Sequence, residues 1–163
     1  MKTVTKSPGA IQSKASGMTA LYILAMKHNR EQFPNVPDHA RSIHKYEDKS
    51  ANGLTRCIND YTRFIGGYSV RVNTMGTYRE SLGKFTPGGT TPGTADLHLC
   101  LKGIHISVEV KIGRDRLSDK QLNCKAQVEA AGGIYLVVSC FQDFYDILTQ
   151  LPGISISIKK AGL

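Results

Sequence analysis

Apolar and polar positions change period several times along the chain, and each change marks an element. In residues 18–30 (MTALYILAMKHNR), Leu21, Leu24 and Ala25 share one side of a short helix. The prolines of FPNVPDH, residues 33–39, end that pattern. Leu54, Cys57, Ile58, Tyr61, Phe64 and Ile65 recur at i, i+3, i+4, i+7, i+10 and i+11, one face of an amphipathic helix that Gly66-Gly67 stops. Tyr68–Val72 alternates as a strand, and residues 73–94, rich in Gly, Thr and Pro, predict a long loop. Two alternating strands then flank Lys102-Gly103. Leu117–Ala131 predicts a helix with Ser118 as N-cap and Gly132-Gly133 as its stop. Ile134–Val138 is continuously apolar, as in an interior strand covered on both faces. Phe141–Leu151 predicts a last helix, and Ile154, Ile156 and Ile158 a terminal edge strand.

The strand, helix and strand between residues 104 and 138 form a β-α-β unit, so its two strands should be parallel. The expected core order is α-β-β-β-α-β, an α/β fold with a mixed sheet flanked by helices. Residues 51–163 make up this domain. Residues 1–50 form an N-terminal extension, of which 1–17 is polar and loose.

Composition narrows the setting. The chain has 163 residues, enough for one domain with a real core. Its apolar runs are far shorter than a membrane span, so no membrane partner is expected. Lys2 and Lys6 precede no apolar stretch, so no secretory signal is expected either. Lys and Arg number 21 against 13 Asp and Glu, a net charge of +8 that favours a polyanionic partner. Cys57, Cys100, Cys124 and Cys140 form no C-x-x-C pair and stand beside apolar residues. They predict buried free thiols in a reducing cytoplasm rather than a zinc site.

The candidate chemistry lies in ADLHLCLKGIHISVEVK, residues 95–111. With a two-residue turn at Lys102-Gly103, opposed residues sum to 205, and one face becomes wholly aliphatic. The other face carries Asp96, His98, Cys100, His105, Ser107, Glu109 and Lys111. Asp96 falls against Glu109 in this register, and two carboxylates about 5 Å apart repel by about 3 kcal/mol at an effective dielectric near 20. A divalent cation between them reverses that sign, and oxygen ligands suit Mg²⁺ or Mn²⁺. Lys111 is next on the same face, able to orient water or neutralise a phosphate. A plain Glu109–Lys111 salt bridge is the structural alternative.

Gly93-x-x-Asp96, Glu109-x-Lys111 on the next strand and Ser118-x-x-Gln121 opening a helix together resemble a PD-(D/E)XK nuclease, closest to the VRR-NUC group and similar phage- or prophage-encoded members. The resemblance spans roughly residues 52–151. It departs from the pattern at Ala95, where the proline of the family's name would stand. It implies a restriction-endonuclease-like core and Mg²⁺-dependent hydrolysis of DNA phosphodiesters. Asp96 and Glu109 would hold the metal, the Val110 carbonyl would add a ligand, and Lys111 would position the attacking water. Gln121 would point into the same site, although Ser118-x-x-Gln121 also reads as a capping box. Asp60 is the carboxylate candidate on the first core helix. Arg71, Arg79, Lys84, Arg114, Arg116 and Lys120 are the candidate DNA contacts, and double-strand cutting would call for a homodimer. The alternatives are a non-cleaving DNA-binding or protein-interaction module on the same fold, and an RNA-processing nuclease. His98 and His105 have no assigned role.

Overall fold

The computed structural model of the chain describes residues 16–72, 76–86, 90–152 and Ile154. Its elements are α1 (Gly17–Gln32), α2 (Ala51–Phe64), β1 (Tyr68–Arg71), β2 (Thr77–Arg79), β3 (Lys84–Thr86), β4 (Leu97–Leu101), β5 (Ile104–Val110), α3 (Asp119–Ala130), β6 (Ile134–Val138) and α4 (Phe141–Gln150). Single 3₁₀ turns lie at Asp38–Ala40 and Glu80–Leu82. The main sheet has the order β1-β4-β5-β6. β1 and β5 run antiparallel to β4, and β5 runs parallel to β6. The chain is therefore an α/β protein with a mixed four-stranded sheet flanked by helices.

Turn chemistry sets the central hairpin. Lys102 and Gly103 both have positive φ, 53° and 80°, as a type I′ turn requires. The pairs Leu101↔Ile104, Cys100↔His105, Leu99↔Ile106, His98↔Ser107 and Leu97↔Val108 follow in the expected register. Leu97, Leu99, Leu101, Ile106, Val108 and Val110 enter the core. α2 meets them with Leu54, Cys57, Ile58 and Tyr61, and α4 with Phe141, Phe144 and Leu148. Ser50 starts α2 by accepting the Gly53 N–H through Oγ, and Gly66 in the left-handed region (φ 84°) follows its end.

Residues 17–50 belong to this same core. Ala20, Leu21 and Ala25 bury the face of α1, and small residues there let the helix lie close to α2 and α4. Asp48 caps α4 from a distance, its Oδ2 accepting the Phe141 N–H at 2.9 Å, while Gln142 Oε1 accepts the Gly17 N–H at 2.8 Å. An extension boundary at residue 50 thus cuts through a packed layer.

Three further expectations need correcting. The 73–94 segment is not all loop, because β2 and β3 pair antiparallel within it. β6 is not interior: among the described residues it ends the sheet, and Val137 is 40% exposed. The reason is α3, which has no fully buried residue and covers that face lightly. The four cysteines are free, but only Cys57 is buried, and Cys100 is exposed on the open part of the polar face. Ile154 is buried, while Ile156, Ile158 and residues 1–15 lie outside the described residues. Among the described residues no helix is long and apolar enough to cross a membrane.

Candidate active site

β4, β5 and the first turn of α3 bring the candidate residues together at one end of the sheet. Glu109, the next to last residue of β5, is only 3% exposed. Its Oε1 takes two partners. Lys111 Nζ approaches at 3.1 Å, and Gln121 Nε2 donates a short hydrogen bond from α3. Its Oε2 is buried without a hydrogen-bond partner. Among the described residues, the other buried side-chain atoms without partners belong to Tyr61, Thr62, Ser69 and Tyr135, all neutral hydroxyls. Glu109 is the one charged group among them, and an unsatisfied charged oxygen costs more than the 1–3 kcal/mol or so of a neutral one.

The ladder between β4 and β5 stops one pair short of Asp96 and Glu109. Through its main-chain carbonyl Asp96 accepts the Val72 N–H at 2.8 Å, which continues the β1–β4 pairing. Its carboxylate then takes the Val110 N–H, Oδ2 accepting at 2.9 Å, where a continued ladder would offer a main-chain carbonyl. The two acids are still close enough to act on one another. Burial first, and then the Asp96 charge, push the Glu109 carboxyl above its ordinary range, and Lys111 works against that shift.

Lys111 is itself largely buried and lies between Glu109 and Asp115, whose Oδ2 is 3.3 Å from Nζ. Burial disfavours its charge, but the two carboxylates outweigh burial and hold the ammonium above the usual lysine range. Its ammonium is therefore held charged between two carboxylates. The Glu109–Lys111 salt bridge of the structural alternative is present, yet it satisfies only one oxygen of Glu109.

Gln121 reconciles its two possible roles. Its Oε1 accepts the Ser118 N–H at 2.9 Å, and Ser118 Oγ accepts the Gln121 N–H in return, a complete capping box. The remaining amide nitrogen is thereby aimed at Glu109. Gly93 brings the first motif to the same place. It has φ 87°, and a Cβ there would collide with the main-chain carbonyl of Lys120. Only a residue without a side chain lets the loop before Asp96 rest on the first turn of α3.

Two contributors were not legible in sequence. Asp115 stands in a charged loop and shows its role only through Lys111. Tyr135 was hidden in the apolar run of β6. Its register partner is Ser107, which puts it on the polar face with its buried hydroxyl beside the Glu109 carboxyl. Burial, followed by the charges of Glu109, Cys124 and Asp96 and by a side-chain hydrogen bond to Glu109, pushes its pKa up.

Asp60 does not join the acidic pair. Tyr46 Oη donates to its Oδ2 at 3.1 Å and Asn59 Nδ2 to its Oδ1 at 3.4 Å. Among the described residues no three His, Cys, Asp or Glu side chains form one metal-holding group. Asp60 instead lines a cavity of about 380 Å³ with Asn52, Thr55, Arg56, Asn59 and Arg71. Asp96, Glu109 and Lys111 do not line it, although Arg71 lies next to Val72, which bonds Asp96. Arg71 is exposed and donates to Asn52 Oδ1 at 2.6 Å. Arg114 and Arg116 are exposed in the loop after β5, and Lys120 is exposed in the first turn of α3. Arg79 and Lys84 are exposed on the β2–β3 hairpin.

No protein-family model matches the chain, and no curated protein or solved structure matches it significantly.

Proposed function

We propose that the chain is a metal-dependent DNA nuclease, with a restriction-endonuclease-like core built on the observed mixed sheet. One observation carries the reading: Glu109 is buried with Oε2 outside good hydrogen-bond geometry, while Lys111 and Gln121 hold its Oε1 and the Asp96 charge bears on the same carboxyl. A carboxylate serving only the fold would have both oxygens satisfied. A cation held by Glu109 Oε2 and Asp96 suits both the orphaned oxygen and the repulsion between the acids, and an all-oxygen donor set fits Mg²⁺, with Mn²⁺ as substitute.

Mg²⁺, held by Asp96 and Glu109, would supply Lewis-acid polarisation of the phosphoryl group and a more acidic water. The chain's own residues do the rest. Asp96 Oδ2 is fixed by the Val110 N–H, so Asp96 and the Val110 main chain would help to hold the cation. Lys111, kept protonated by Glu109 and Asp115, orients the attacking water through its N–H groups and offsets charge on the phosphate. Gln121 holds the orientation of Glu109. Arg114, Arg116 and Lys120 flank Lys111 and Gln121 in sequence and are the first contacts for flanking phosphates, with Arg71 at the neighbouring strand end.

The test is cleavage of linear, supercoiled, single-stranded and branched DNA, and of RNA, with Mg²⁺ or EDTA. Cleavage is expected with Mg²⁺, and its loss in Glu109→Gln and Lys111→Ala. Activity that survives EDTA or both substitutions would sink the proposal, as would cleavage of none of these substrates.

A further inference from the structure

The open polar face holds a second constellation that phosphodiester chemistry does not use. His98 on β4 faces Ser107 on β5, and His105 is one step along the same face. Their polar atoms form a nearly equilateral triangle. His98 Nδ1 is 3.4 Å from His105 Nε2, His105 Nε2 is 3.0 Å from Ser107 Oγ, and Ser107 Oγ is 3.2 Å from His98 Nδ1. Ser107 is fully buried, His98 half-buried and His105 exposed, so the triangle has a rigid base and an open rim.

These distances match a ligand set. For metal–nitrogen bonds of about 2.1 Å, neighbouring donors stand about 3.0 Å apart in an octahedron and about 3.4 Å apart in a tetrahedron. The two imidazole planes are 26° apart. Their centroids are 5.3 Å apart, while the facing nitrogens are 3.4 Å apart.

We propose that His98, His105 and Ser107 bind one borderline transition-metal ion, of the Zn²⁺ or Ni²⁺ type, bridging β4 and β5. Two imidazoles are the strong donors, the serine hydroxyl is a weak third, and water fills the outer positions. No further His, Cys or carboxylate joins them among the described residues. His105 also lines a cavity of about 330 Å³ with Gln127, Val128, Ala131 and Gly133, through which a hydrated ion can approach. The site is distinct from the acidic pair. His98 is two residues beyond Asp96 and Ser107 two before Glu109, about 7 Å along each strand, whereas paired catalytic ions stand about 3.5–4 Å apart. The inference does not depend on nuclease activity.

Calorimetric titration of the full chain with Ni²⁺ and with Zn²⁺, in reduced protein and excess Mg²⁺, tests it. Saturable binding of one ion per chain is expected. It should weaken at least tenfold in His105→Ala, whose exposed ring the fold does not need, and in His98→Asn. It should be retained in Glu109→Gln and Cys100→Ser. No saturable binding would mean that the triangle is only a hydrogen-bonded chain, and would overturn the proposal. Binding that survives both histidine substitutions, or that is lost in Glu109→Gln or Cys100→Ser, would overturn it equally.

Discussion

Gln121 Nε2 donates to Glu109 Oε1 while Gln121 Oε1 accepts the Ser118 N–H, so one side chain both caps α3 and clamps a buried carboxylate. The two roles separate by mutation. Ser118→Ala removes the hydroxyl of the cap and leaves the bond to Glu109. It should cost about 1 kcal/mol, about 2–4 °C of Tm, with cleavage changed less than about threefold. Gln121→Ala removes both contacts and should lower cleavage at least tenfold for a similar loss of stability. Thermal melting and cleavage rates, measured on both variants, check the contrast. Equal rates in the two variants would leave Gln121 as a cap alone.

Gly93 ties the loop before Asp96 to α3, because a side chain at its position would strike the Lys120 carbonyl. Gly93→Ala adds a positive-φ penalty to that collision, and about 2 kcal/mol or more of stability should be lost. The first turn of α3 must then shift, carrying Gln121 away from Glu109. Denaturant unfolding and amide exchange at residues 119–122 report the two effects. Gly103→Ala, where nothing lies within 4 Å of an added Cβ, is the control for φ alone.

Local rules made much of this legible. The Lys102-Gly103 turn and the aliphatic alternation fixed the hairpin register, and the 3.6-residue period located α2. The meeting of three motifs was anticipated because two lie on paired strands and the third opens the crossover helix. What stayed hidden depends on contacts across the fold. The burial of α1 rests on small residues whose amphipathic signal is weak, and the cap of α4 comes from Asp48, 93 residues earlier. Tyr135 could not be told from its apolar neighbours, because only the parallel register with Ser107 assigns it a face. The Val110 N–H is taken by the Asp96 carboxylate in place of a main-chain carbonyl, a choice of acceptor that no pattern in the sequence encodes.

Glu109 should weaken the fold that holds it. Its folded carboxyl titrates above the ordinary 4.5, mainly through burial, so the fold prefers the protonated form. The stability this gives is present below pH 4.5 and is lost as pH rises through the folded value. Glu109→Gln mimics the protonated acid. It should match the wild type in acid and exceed it by about 1 kcal/mol at neutral pH, about 2–4 °C in Tm, while abolishing cleavage. Unfolding of both proteins from pH 4 to 8 without metal gives the difference curve, in which the titrations of other carboxylates cancel. A variant less stable than wild type at pH 7 would mean that the Glu109–Lys111 pair serves the fold.

Lys111 lowers the pKa that burial and Asp96 raise, so removing its charge should move Glu109 further up. In Lys111→Met the stem still packs, but Glu109 keeps only Gln121 as a hydrogen-bond donor to Oε1. Carboxyl-carbon NMR of labelled glutamate should show Glu109 titrating at higher pH in the variant than in the wild type. Mg²⁺ binding should follow, because the cation competes with a proton for the same oxygens, and its pH midpoint should rise in parallel. Asp115→Asn gives the opposite sign. The Asp115 charge raises the Glu109 pKa, so that variant should move Glu109 down and let Mg²⁺ bind in more acidic solution. Shifts of the same direction in both variants would show that the three charges do not act on one carboxylate.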